Sequence, residues 1–174
     1  LGGLTGADQR CQRLATGVGL GGKQWAAYLS ADAMGATPAV NARDRIGQGP
    51  WYNFAGVKIA DNVDELHKTT VNINKATALD EKGQTVPGRG DTPNEHDILT
   101  GSLADGRLSA GATCANWTSE VETGASATLG HHDRMGLDTT EPAMSWNSSH
   151  ASRGCSAAAL VTTGGAGRLY CFAK

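Results

Sequence analysis

The chain has 174 residues, enough for one domain and too few for two comfortable ones. Glycine supplies 24 of them, about twice the usual share, against 39% apolar, 5% aromatic and 18% charged residues. That mix fits a loop-rich domain with a modest core and excludes a coiled coil, a collagen or a disordered chain. Fifteen basic and seventeen acidic side chains leave a net charge of −2. This excludes bulk electrostatic binding of nucleic acid, and no uncharged apolar run approaches the ~18 residues of a membrane-crossing helix.

In chain order, Thr5 or Asp8 can cap a first helix, on which Ala7, Cys11, Leu14, Ala15 and Val18 recur at spacings of three and four. Gly17, Gly19, Gly21 and Gly22 end it. Trp25 to Ser30 reads as a strand, and Pro38 to Ile46 as a short helix with Pro38 in its first turn. Trp51-Tyr52-Asn53-Phe54 is expected to be a buried aromatic cluster, Val57 to Ile59 a strand, and Asp61 to His67 one or two helical turns. Residues 72–94 form a long polar excursion. His96 to Ser102 reads as a strand before a turn at Asp105-Gly106, and Cys114 to Ser119 as a core strand with Trp117 inward. Residues 126–149 read as a second long loop. Residues 158–163, a turn at Gly164-Gly165 and Leu169 to Phe172 read as a closing β-hairpin. Early helices and late short strands predict an α+β domain over 1–174.

The four cysteines are Cys11, Cys114, Cys155 and Cys171, with no C-x-x-C pair. An even count, wide spacing and a start at Leu1 point to an exported protein, its leader removed or its end trimmed, with two disulfides. Three connectivities are open. The favoured one is nested, Cys11–Cys171 with Cys114–Cys155, tying the chain ends together and stapling a long loop.

Gly6-Ala-Asp-Gln-Arg-Cys-Gln-Arg-Leu-Ala15 resembles the first helix of the endostatin domain, and Cys155 with Tyr170-Cys-Phe172 resembles its closing hairpin. With Asn116-Trp-Thr-Ser119, these segments also resemble bacterial exported proteins of the same plan, labelled endostatin-like or lectin. The resemblance implies a C-type-lectin-like fold: two helices, a curled antiparallel sheet, long loops and the nested cysteine pairing. It departs from endostatins in lacking an N-terminal histidine zinc site and an arginine-rich heparin face, since the first histidine is His67 and nine arginines are spread along the chain. It departs from calcium-dependent lectins at Glu141-Pro-Ala143 and Trp146-Asn-Ser148, which lack the final amide or acid.

Three of five histidines fall in His131-His132-Asp133-Arg134 and Trp146-Asn147-Ser148-Ser149-His150. Imidazole beside carboxylate suits zinc, copper or nickel, so His131, His132, Asp133 and His150 are candidate metal ligands. Adjacent His131 and His132 point in different directions in most backbones. The bland alternative is a loop held by side-chain hydrogen bonds. Trp117 and Trp146 beside Asn116 and Asn147 could form a sugar-binding surface, or both rings could belong to the core. Arg89-Gly90-Asp91 is an integrin-type tripeptide whose alternative reading is a plain turn. Asn116 and Asn147 open glycosylation sequons. No nucleophile elbow, phosphate loop or His-Glu-x-x-His is present.

The expected function is a secreted or periplasmic, non-catalytic recognition module that binds carbohydrate or a protein partner with loops 72–95 and 120–150. Asp105, Asn116, His131, Asp133, Trp146, Asn147 and His150 are its candidate ligand-binding residues, and no cofactor is required. The alternatives are an accessory subunit of a larger extracellular assembly and a metal-dependent hydrolase at His131 and His150.

Overall fold

A computed structural model describes residues 1–174. It is a mixed α+β structure with one long helix, three short ones and three small sheets. Helix α1 (Gly3–Gly17) turns Ala7, Cys11 and Ala15 inward, the spacing of four that puts residues on one helix face. Its N-cap is Gly2 in a left-handed conformation, not Thr5 or Asp8. Asp8 lies inside the helix and points across to β1, accepting from Ala27 N at 2.8 Å and from Arg45 at 2.7 Å. Leu14, expected on the buried face, is 40% exposed.

Strand β1 (Trp25–Ala27) pairs antiparallel with β8 (Cys171–Ala173), so the chain's end lies beside α1. Strands β2 (Trp51–Tyr52) and β3 (Lys58–Ala60) form a second antiparallel pair. The largest sheet has the order β6-β5-β4-β7, from β4 (Asp97–Leu99), β5 (Thr128–His131), β6 (His150–Ala151) and β7 (Gly165–Leu169). Its β4–β7 pairing is parallel and the other two antiparallel. The short helices are α2 (Val63–Leu66), capped by Asn62, α3 (Cys114–Trp117), and α4 (Ala157–Val161), capped by Ser156.

Several expectations are corrected. The span from Pro38 to Ile46 holds only a 3-10 turn, Ala42–Asp44. Cys114 to Trp117 is not a strand but a helical turn with left-handed φ values from 49° to 67°. Trp117 is nonetheless buried, donating from Nε1 to Ser30 O at 2.7 Å. The expected loop 126–149 contains β5. Residues 158–163 fall in and just after α4 rather than in a hairpin. Of the aromatic cluster only Trp51 is buried, while Tyr52 and Phe54 are half exposed.

Two apolar clusters carry the packing. One joins α1 to the large sheet through Ala7, Cys11, Leu29, Leu99, Trp117 and Leu129. The other gathers Tyr28, Ile46, Trp51, Leu66, Trp146 and Phe172. Each large side chain so buried contributes about 1.5–3 kcal/mol. The disulfides Cys11–Cys171 and Cys114–Cys155 tie α1 to β8 and α3 to the segment before α4. No helix is long and apolar enough to cross a membrane.

Candidate functional site

Strand alternation builds the polar centre of the molecule. The β4–β5 register sets Asp97 opposite His131, and successive strand residues face opposite sides of a sheet. His131 and Asp97 therefore share one side, whereas Ile98 and His132 line a cleft elsewhere. His96 precedes Asp97, and its ring stacks on His131 with centroids 4.2 Å apart. His150, on edge strand β6, meets His131 edge-on.

The three imidazoles converge on one atom. Nε2 of His96, His131 and His150 lies 3.3, 3.3 and 3.4 Å from Asp97 Oδ1. Asp97 is 1% exposed, His96 and His131 are each 3% exposed, and the His150 side chain is 38% exposed. Neither Asp97 oxygen and not His131 Nε2 has a hydrogen-bond partner. Burial pushes the Asp97 carboxyl up, and His131 and His150, wherever a proton sits on their Nε2, pull it well below the usual carboxylate range. The same carboxylate raises His150 against the opposing effect of burial.

The far side of each ring is anchored. Nδ1 of His131 lies 2.7 Å from Ala143 O, that of His150 3.1 Å from Ala151 O, and that of His96 3.4 Å from Asp133 Oδ1. All three partners accept only, so each Nδ1 carries the proton and donates it. Ser149 Oγ stands 3.3 Å from His131 Nδ1. Because that nitrogen already donates to Ala143, it offers no base to activate the serine.

Of the residues singled out from sequence, His131 and His150 come together, and His132 and Asp133 take other places. His132 Nε2 donates to Pro87 O at 3.1 Å, and burial holds this imidazole below its ordinary value. Asp133 faces His96 and accepts from Arg89 N at 2.6 Å and Met135 N at 3.1 Å. Burial raises its carboxyl, but His96 and those two N–H groups bring it down to about 2. His96 and Asp97 are the members missed from sequence. Their only signal is a His-Asp pair at the head of a strand, which carries meaning once the β4–β5 register is known.

The sugar-surface candidates are structural instead. Trp146 is 3% exposed, packed against Tyr28, His67 and Tyr170. Asn147, 1% exposed, donates from Nδ2 to Tyr28 OH, Leu103 O and Ala104 O. Asn116 clasps the backbone of Asp32, accepting from its N–H and donating to its carbonyl. Asp105 pairs with Arg107 in the turn that follows β4. In the integrin-type tripeptide, the Asp91 carboxylate is taken up by Lys75 at 2.5 Å and Gly88 N at 2.7 Å.

An apolar cleft of about 1170 Å³ opens between the C-terminal half of α1 and the segments 48–54 and 77–81. Leu14, Leu20, Tyr52 and Phe54 are exposed along it, and Trp25 and Trp51 stand among its walls. Arg10, Lys23 and Lys174 on the one hand and Asp80 and Glu81 on the other line it without an ion-pair partner. Compared with known protein families and with curated proteins, the chain matches no family model and no curated protein.

Proposed function

We propose that the chain is a non-catalytic recognition module of an exported protein, on the C-type-lectin-like, endostatin-like plan, and that it binds a protein partner in the apolar cleft beside α1. The cleft carries this reading. Exposed apolar patches of this kind mark interaction sites, and a large, mainly apolar concavity is the default place for a ligand. Leu14, Leu20, Tyr52 and Phe54 would receive apolar side chains of the partner, and Arg10, Lys23 and Lys174 with Asp80 and Glu81 would meet its charged groups of either sign. The two disulfides favour an oxidising compartment. Carbohydrate is less well served, because Trp117, Trp146 and Asn147 are buried and offer no stacking face.

The test is a selection of displayed peptides on the native domain, followed by binding measurements with the winners. Peptides rich in aromatic or aliphatic residues are expected. Their affinity should fall at least tenfold for Phe54→Asp and for Tyr52→Asp, both at exposed positions. Glycan binding that survives both substitutions, with no peptide selected, would return the assignment to a sugar ligand bound elsewhere.

A further inference from the structure

We propose that His96, Asp97 and His131 hold one zinc ion, each histidine through Nε2 and Asp97 through Oδ1, with His150 beside the fourth position. The inference stands apart from the cleft, which lies elsewhere on the fold.

Distance is the first argument. Zinc binds imidazole nitrogen and carboxylate oxygen at about 2.0–2.1 Å in tetrahedral sites. The edge of such a tetrahedron is roughly 1.6 bond lengths, about 3.3–3.4 Å. The donor atoms of His96, Asp97 and His131 all lie within 4.8 Å of one another, and the Nε2-to-Oδ1 separations of His96 and His131, both 3.3 Å, match that edge. They are too long for charged N–H···O hydrogen bonds, which run at about 2.7–2.9 Å.

The protons give the second argument. Every Nδ1 faces an acceptor, the Ala143 carbonyl, the Ala151 carbonyl or the Asp133 carboxylate. That arrangement fixes the tautomer of a metal-ligating histidine and turns the lone pair of Nε2 inward. Without a cation, three lone pairs would crowd one carboxylate oxygen that no donor reaches. The other resort, protonating the rings, would put two stacked imidazoliums 4.2 Å apart in a buried place.

Charge is the third. One divalent ion, three neutral imidazoles and the carboxylates of Asp97 and Asp133 sum to zero. Two imidazole nitrogens and one carboxylate oxygen suit zinc better than magnesium or calcium, which take all-oxygen sets. Three protein donors leave a fourth position, beside which His150 stands with its Nε2 3.4 Å from Asp97 Oδ1. The ion would pin β5, through His131, to the head of β4.

The experiment uses the native chain without a polyhistidine tag, stripped with chelator and titrated with zinc chloride. We expect one equivalent to bind, with X-ray absorption giving N/O neighbours near 2.0 Å and cobalt(II) giving the strong visible bands of a four-coordinate ion. His131→Gln and Asp97→Asn, which keep much of each side chain's shape, should each weaken zinc by more than the roughly 10–100-fold that loss of a supporting hydrogen bond costs. His132→Gln should leave it unchanged. Folded apoprotein that takes up less than a tenth of an equivalent would overturn the proposal. So would equal affinity in the parent, His131→Gln and Asp97→Asn, which would mean adventitious surface binding. Should a variant not fold, the cobalt spectrum of the parent still decides, since a six-coordinate spectrum contradicts the site.

Discussion

Asp133 stands directly behind His96, its Oδ1 3.4 Å from the ring's Nδ1. Its other oxygen accepts the backbone N–H of Arg89 at 2.6 Å. One carboxylate thus steadies an imidazole of the polar centre and the turn at Gly88 to Asp91. Asp133→Asn keeps the shape and removes the charge. Zinc affinity should fall by about 10–100-fold, and the Arg89 amide should exchange faster with solvent. Unchanged affinity with faster exchange would leave Asp133 as a loop anchor only.

Asn147 was a candidate ligand-binding residue, and its surroundings give it a different role. Its Nδ2 donates to Tyr28 OH and to the carbonyls of Leu103 and Ala104. Its Oδ1 accepts from Ser145 Oγ. Asn147→Ala strands several polar atoms at a 1%-exposed position, and each stranded atom costs about 1–3 kcal/mol. A loss of roughly 3 kcal/mol or more in urea unfolding is expected. Full stability with lost ligand binding would restore a direct binding role.

The same network reaches His67. Its Nδ1 donates to Val63 O at 2.7 Å, and its Nε2 accepts from Tyr28 OH at 2.8 Å. Burial holds this imidazole below its ordinary value, against the raising effect of the Val63 carbonyl. A histidine kept neutral by folding contributes its full stability above the unfolded value of about 6.5. As the pH falls through that value the unfolded chain binds the proton first, and stability declines until the folded imidazole titrates too. Urea midpoints between pH 8 and pH 5, taken in chelator, should therefore drop more steeply for the parent than for His67→Gln. Parallel curves would show that His67 does not titrate differently on folding.

Local periodicity made part of this molecule legible. The spacing of Ala7, Cys11 and Ala15 was enough to find α1 and its buried face. It misplaced Leu14 because a helix pattern does not reveal that a cleft opens beside the third turn. Cys114 to Trp117 looked like a strand since its large residues are apolar, yet its left-handed turn is set by distant partners: Asp32 on Asn116 and Cys155 on Cys114. The polar centre was half readable. His131 and His150 are near in sequence, and adjacent side chains such as His131 and His132 diverge in most backbones, but the stretch read as a loop and gave no strand register. His96 and Asp97 lie more than thirty residues upstream, and only the antiparallel register of β4 on β5 brings them in.

The disulfides give the last test. Cys11–Cys171 spans 160 residues and Cys114–Cys155 spans 41. If they act mainly by restricting the unfolded chain, the longer loop should matter more, roughly 5 against 4 kcal/mol. The native surroundings point the same way. Cys11 is 1% exposed in the cluster that joins α1 to the sheet, and its bond holds β8 against β1. Replacing Cys11 and Cys171 by serine should lower the urea midpoint more than replacing Cys114 and Cys155. It should also loosen the wall of the cleft that α1 and β8 share. The opposite order would mean that the left-handed turn at Cys114 depends on its bridge more than the chain ends depend on theirs.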